Sequence, residues 1–560
     1  MDGWALDLGT TNSGIARWDD AAGQAALVDL PTVCRLPDAD DPLEAPRMIP
    51  SAVHFVERPG PLDRLGSWRP VSRRVFLGRT AFIGRQALER NRTTLHPSFV
   101  PAFKAALGVE AARPLARIGR QSVSARMAAR AFLRELLVET KRATGQRIRE
   151  LTVAAPVSSF ETYRAEVQGI VRDLGVNRVR FVDEPLAVAL GYGLGLTDDC
   201  LVLVVDIGGG TMHTEIVRLT PRGAEGGRAQ VLGKRGRPLG GNAVDSWVLC
   251  DVSARMGYPF DQWADDEETR FWRRLMLAEA CRVKEEVFFK DAATFLLAPP
   301  GAIGAGSVRH PGAEEVTLTR AGLVEILEQQ GFYRGLEECF DEMFTAGKVA
   351  PADLDHVLVV GGSTLLPGVF PLLERRFERR RVRAWQPFEA VAYGAACYAA
   401  SRVGTADFIV HDYAFVTHEP GTCAPQHTIV VPRGTRFPTP PDFWKRQVVP
   451  TCAMGEPETV FRLVICEVAR ADGGERRFVW DAAGDLQTIG GASGKAEVIV
   501  PLNASSPTLG YLDPAHEPRD RRPRLEIAFG VNADRWLVAT VIDLLTRREL
   551  MREEPVVRLL

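Results

Sequence analysis

Two stretches of this 560-residue chain follow one plan. "GWALDLGTTNSGIARW" runs from Gly3 to Trp18, and "LVLVVDIGGGTMHTEIV" from Leu201 to Val217. Each is an apolar run, an Asp, a turn rich in Gly and Thr, then a second apolar run. That pattern predicts a β-hairpin. Its turn presents successive backbone N–H groups into one concavity, a shape suited to phosphate oxygens. Gly9, Thr10, Thr11 and Asn12 form the first turn; Gly208, Gly209, Gly210 and Thr211 form the second. An Asp at the strand end repels phosphate unless a cation lies between them. Mg2+ takes one or two carboxylates together with phosphates and water. Asp7 and Asp206 are therefore expected to face one metal–phosphate centre from opposite sides, reaching the ion through water. Two plain hairpin turns are the alternative for either stretch alone.

The chain is too long for a single core, and its length suggests three to five units at roughly 100–200 residues each. Hydrophobic content of 46% and charged content of 25% are those of an ordinary globular protein. A net charge of -2 gives no overall pull toward nucleic acid or an acidic membrane. The Arg-rich stretch "FERRRVRAW" at 377–385 is read as a solvated helix end. Only 8 residues are Lys, so a Lys at a sensitive position stands out. The 9 Cys contain no CxxC pair, which predicts reduced thiols and a cytoplasmic setting. No basic-then-apolar leader opens the sequence, and no run approaches the roughly 18 apolar residues of a spanning helix.

Strand and helix patterns alternate through the first 400 or so residues, as in a sheet covered by helices. A helix is expected over 122–145, capped by Ser122 and stopped by Gly145. "VRFVDEP" reads as a strand whose Pro185 opens the next helix. The second half repeats the order: hairpin, helical region at 243–290, strand "HVLVV" at 356–360, Gly-rich turn, helices. After Gly404 the texture changes to short strands separated by Gly, Pro and Thr, an all-β module.

The motifs "LDLGTTNSGIA", "FVDEPLAVALGYG", "VVDIGGGT", "PLGGNAVD", "VVGGSTLLPG" and "PFEAVAYGAA" occur in the order that resembles the seventy-kilodalton heat-shock chaperones of the DnaK type. These belong to the actin, hexokinase and heat-shock ATPase superfamily. The resemblance implies an α/β, two-lobed actin-like ATPase fold built from duplicated ribonuclease-H-like domains, followed by an all-β sandwich. It implies a nucleotide domain over 1–403 (lobes about 1–196 and 197–403), a linker over 404–412, and a peptide-binding-type sandwich over 413–560 without the family's helical lid.

It also implies ATP or ADP with Mg2+ in the cleft between lobes. Lys104 matches the catalytic Lys by its neighbours, in preference to Lys141. Glu184 matches the glutamate near the attacking water, and Asp206 and Thr211 complete the catalytic set. Gly240 and Gly241 match a loop closing over phosphates and ribose. Lys284 matches a Lys near the adenosine, and Gly361, Gly362 and Ser363 match the adenosine motif. "DFIVHD" resembles the coupling linker, with Asp407, Phe408, Ile409, Val410 and Asp412 at its positions. Arg180 and Asp412 match positions that engage J-domain co-chaperones.

Four positions depart from the family pattern. His213 replaces an Asp, Leu365 an Arg, Phe288 a Ser and Phe388 an Asp. Neutral imidazole is a poor substitute for a carboxylate that organises Mg2+. The reading is an ATP-binding chaperone-like protein with slow Mg-dependent hydrolysis, whose β-domain binds protein segments, aided by a J-domain co-chaperone and an exchange factor. The competing readings are a nucleotide-binding regulatory scaffold with a dedicated partner, and a small-molecule kinase, which would lack the linker and sandwich.

Overall fold

The computed structural model describes residues 3–35, 47–57, 61, 78–91, 95–109, 111–157, 161–256, 267–296, 316–401, 409, 411–419, 422, 424–452, 456–470, 477–481, 485–489, 497–504, 506–533 and 536–559. The chain forms two compact units, Met1–Phe377 with Gln386–Gly404, and Glu378–Trp385 with Thr405–Leu560.

In the first unit, both quoted stretches form hairpins. β1 (Trp4–Asp7) pairs antiparallel with β2 (Asn12–Asp19), and β2 with β3 (Gln24–Leu27). On its other side β1 runs parallel to β4 (Glu150–Ala155), which runs parallel to β5 (Arg178–Asp183). The second sheet repeats these connections. β6 (Cys200–Ile207) pairs antiparallel with β7 (Met212–Leu219), and β7 with β8 (Gln230–Arg237). β6 also runs parallel to β9 (His356–Val360). β1 and β6 are apolar in almost every position because helices and neighbouring strands bury both faces. Trp4, Leu6, Ile15, Phe103, Phe132, Val153 and Val167 meet in one core around the first sheet.

Helices connect the parallel strands. α1 (Lys104–Val109) and α2 (Ala125–Thr144) precede β4. Ser124, not Ser122, caps α2, accepting the Met127 N–H at 3.3 Å, because residues 121–124 form a short strand first. Gly145 ends the helix at φ 70° in the left-handed region. α3 (Glu161–Asp173) joins β4 to β5, and α4 (Glu184–Gly191), with Pro185 in its first turn, follows β5. α5 (Pro221–Glu225), α6 (Gly241–Arg255), α7 (Glu267–Glu286) and α8 (Ala390–Ala399) belong to the second half. The helical region read over 243–290 is therefore two helices. α4 and α8 pack closely through small residues. A Cβ on Gly394 would lie 1.6 Å from the Ala187 carbonyl oxygen, and one on Gly191 1.9 Å from that of Ala390.

Among the described residues from Thr405 onward the second unit contains strands and no helix. β10 (Asp412–His418) lies between β11 (Pro425–Val431) and β13 (Ile465–Arg470), with β14 (Glu497–Pro501) outside β13; β12 (Trp444–Val448) leads a second sheet completed by β15 (Leu525–Val531), β16 (Trp536–Asp543) and β17 (Arg548–Arg558). Tyr413, Val431 and Ile465 of one sheet and Ile527, Phe529, Leu537 and Val541 of the other share one core. Ile409 is fully buried in that core, its N–H donating to the Thr435 carbonyl at 2.9 Å. Asp407, Phe408 and Val410 lie outside the described residues.

The expectation of a solvated Arg face at 377–385 holds for Arg380, which is exposed, and fails further along. Arg383 is buried, and Arg379 donates to the Trp480 carbonyl at 2.7 Å. Apolar neighbours, Trp385 and Trp480 among them, draw this segment into the second unit.

Candidate functional site

The repeated register sets the site. Asp7 stands opposite Gly14 and Asp206 opposite His213, each at the turn end of its hairpin. The two turns nearly touch: a Cβ on Gly209 would lie 3.2 Å from the Thr11 hydroxyl. Ser51 pins the first turn, its hydroxyl donating to the Gly9 carbonyl and its N–H to that of Thr11, both at 2.8 Å. The second turn is closed by the Gly208 N–H donating to the Thr211 carbonyl at 2.9 Å. Gly241 and Asn242 then donate to the carbonyls of Gly208 and Gly209 at 3.0 and 2.7 Å. A side chain on Gly240 would meet the Gly208 and Gly209 carbonyls within 2.7 Å, so the 240–241 loop lies flat on the turn only as glycine.

Lys104 at the start of α1 reaches Glu184 at the start of α4, Nζ to Oε1 2.8 Å. Burial pushes Asp7 up to about 7, with the Lys104 ammonium opposing and Glu184 adding to the rise. Burial likewise pushes Asp206 up to about 7, reinforced by Glu184 and opposed by Lys104, with Glu215 and Asp7 adding. Burial works against the Lys104 charge, but Glu184, Tyr163 and Asp7 outweigh it and hold the ammonium protonated. Asp7, Lys104, Glu184 and Asp206 thus form one electrostatic cluster of three carboxyls and one cation, at the meeting of two N–H-rich turns.

The donor set fits a hard divalent cation with a polyphosphate. Two half-buried, desolvated carboxyls lose their pKa shift when a cation comes between them, and oxygen donors suit Mg2+. Among the described residues no three His, Cys, Asp or Glu side chains converge on a metal by themselves, so phosphate and water would complete the shell. Asp7 and Asp206 would hold the ion, and the turns 9–12 and 208–211 the phosphates.

The other end of the site is built differently. The Ser363 hydroxyl donates to the Gly208 carbonyl at 2.9 Å. Gly361, at φ 90°, leaves room for Asp206, whose Oδ1 would lie 2.7 Å from a Cβ there. Lys284 on α7 is sealed beneath the 240–241 loop and paired with Asp245 of α6 at 2.7 Å; burial works against its charge, but Cys281, Asp245 and Glu285 outweigh it and hold it protonated. Leu365 and Phe288 are buried in the core, whereas Phe388 is half-buried and its ring lies against Gly362. Burial, followed by Lys234, lowers the pKa of His213, which favours a neutral ring. That ring presses on Gly236, where a Cβ would come within 2.5 Å.

Sequence reading missed Glu215. It lies two residues beyond His213, on the same face of β7, and pairs with Lys234 at 3.4 Å; burial raises its pKa. The alternation of β7 was the available signal. Tyr163 was missed too, because α3 brings it beside Lys104 and Glu184 from a different part of the chain. Arg180 and Asp412 have internal partners. Arg180 donates to the Ala399 carbonyl at 2.5 Å, and Asp412 accepts the Arg433 N–H at 2.7 Å.

Comparison with known sequences bears on this geometry. The family model of the Hsp70 protein matches residues 5–442. A stromal 70 kDa heat shock-related protein of Spinacia oleracea chloroplasts is 25% identical over 471 residues, 84% of this chain and 70% of that protein. A chaperone protein DnaK of Mycoplasmopsis agalactiae is 25% identical over 470 residues, 82% of this chain and 68% of its own. A ribosome-associated molecular chaperone of Saccharomyces cerevisiae is 28% identical over 320 residues, 55% of this chain and 49% of its own.

Proposed function

Because the chain belongs to the Hsp70 family, we propose that it binds ATP and ADP with Mg2+ at the two hairpin turns and hydrolyses ATP slowly. Nucleotide state would then bias how the strand-built second unit binds protein segments. The observation that carries this reading is the cluster of Asp7, Lys104, Glu184 and Asp206 against turns 9–12 and 208–211. In it, Lys104 supplies a fixed positive charge for the developing charge on a transferred phosphoryl group. Glu184, held by Lys104, orients the attacking water. Thr211 and the glycine N–H groups hold phosphate oxygens. Bound Mg2+ supplies charge neutralisation of the phosphates. Gly240, Gly241, Gly361, Gly362 and Ser363 line the nucleoside end, where the Phe388 ring offers the partly open apolar face, and Lys284 supports the 240–241 loop from beneath.

Protein segments are the proposed clients, with a J-domain co-chaperone and an exchange factor as further partners. A J-domain would have to compete with the internal bond of Arg180. Release of a fluorescent unfolded peptide from the full chain, timed with ATP and with ADP, tests the coupling. The release rate should differ several-fold between the two; equal rates would contradict it.

The second reading, a nucleotide-binding scaffold with little turnover and a dedicated protein partner, is favoured by His213. A neutral ring stands directly across from Asp206 where an anion would help organise the cation. Mg2+-dependent turnover separates the two readings.

A further inference from the structure

β5 is the outer strand of the first sheet and β8 that of the second, and the chain ties these edges together beside Glu184. The tie is Asp183, the last residue of β5. It stands at the N-cap of α4, yet its carboxylate makes no cap bond to that helix. Instead Oδ2 accepts the Ala229 N–H at 2.9 Å, and the Asp183 N–H donates to the Gly227 carbonyl at 2.9 Å. The other carboxylate oxygen takes the Arg164 guanidinium of α3, and the exposed Arg228 lies 3.9 Å away. Residues 225–229 form the turn between α5 and β8, so these bonds cross from one sheet to the other.

The turn fits closely. Gly227 has φ 71°, and a Cβ there would lie 2.7 Å from the Phe181 carbonyl oxygen and 2.8 Å from the Tyr398 hydroxyl. Tyr398 in turn donates to the Glu225 carbonyl at 3.4 Å. Asp183 is itself 1% exposed. A buried carboxylate committed to another sheet's backbone, rather than to its own helix, costs desolvation that a local cap would not.

We propose that Asp183 is a positioning residue: it latches the 225–229 turn to the end of β5 and thereby fixes Glu184 and Lys104 against Asp206 and Thr211. The inference rests on the nucleotide reading given above. Loosening the latch lets the two sheets separate at this edge, so a bound nucleotide, held by both, leaves faster and reacts more slowly.

The test uses the full chain and two substitutions on opposite sides of the latch, Asp183→Ala and Gly227→Ala, with their double variant. The second adds one methyl group and leaves Arg164 its partner, so it stands in should Asp183→Ala fail to fold. Release of a fluorescent ADP analogue and single-turnover ATP hydrolysis are read together. Each single variant should release the analogue about fivefold to tenfold faster, the effect of about one hydrogen bond, and the double variant no faster than the stronger single one. Release within twofold of the parent for Gly227→Ala, or effects that multiply in the double variant, overturns the latch. If the parent hydrolyses no ATP but release responds as described, the latch stands and the ATPase reading falls. If the parent hydrolyses ATP and release does not respond, the ATPase reading stands and the latch falls. A parent that binds no ADP overturns both.

Discussion

At the scale of single residues, the site is governed by burial of charge. Asp7 and Asp206 are both pushed up to about 7 by desolvation. They therefore bind protons more tightly in the folded nucleotide-free protein than in the unfolded chain. Their contribution to stability is present at acid pH and is lost as pH rises from about 4 to about 7. A cation between them would lower both values again, so the proposed binding of Mg·ADP should release protons. Affinity for Mg·ADP should climb as pH rises from about 6 to about 7.5 and then level off. Calorimetry in buffers of different ionisation enthalpy reads this directly; an affinity independent of pH would mean that the ion does not approach these carboxyls. The two Asp–Gly–Thr hairpins were legible because their apolar runs and turn residues leave a local spacing in the sequence. Tyr163 and Asp183 were not, since their partners Lys104 and Ala229 lie far away in the chain, whereas the alternation of β7 could have pointed to Glu215.

At the scale of elements, the hairpins, the helix of 125–144 and the strands of the second unit follow their hydrophobic periods closely. The errors were at boundaries. A strand over 121–124 moved the α2 cap from Ser122 to Ser124, whereas the helical region of 243–290 does hold helices, Gly241–Arg255 and Glu267–Glu286. In the Arg run of 377–385 the burial of Arg383 was not legible, because charge pattern alone does not reveal an apolar neighbour such as Trp480. The α4–α8 contact is the tightest element pairing at the glycines. With 1.6 Å between a Gly394 Cβ and the Ala187 carbonyl oxygen, Gly394→Ala must push the helices apart. The cost should be about 2–4 kcal/mol, with a lowered thermal midpoint of the first unit. An unchanged midpoint would show that α8 does not pack against α4 as described.

At the scale of the whole molecule, the chain belongs to the Hsp70 family and its first unit repeats one hairpin plan in two similar sheets, the frame on which the proposed nucleotide site rests. The order of motifs made the α/β half and the all-β half legible, because the texture of the sequence changes near Gly404. The assignment of Glu378–Trp385 to the second unit was not, since that grouping arises from tertiary contacts rather than from chain order. With the neutral His213 ring across from Asp206, the rate of hydrolysis is the quantity to measure. Mg2+-dependent ATP hydrolysis by the full chain, beside Lys104→Ala and Asp206→Asn, addresses it. Slow turnover is expected, falling by about a hundredfold or more in either variant, the scale of losing one electrostatic contact to the reacting phosphoryl group. Turnover in the parent no greater than in the two variants would contradict it.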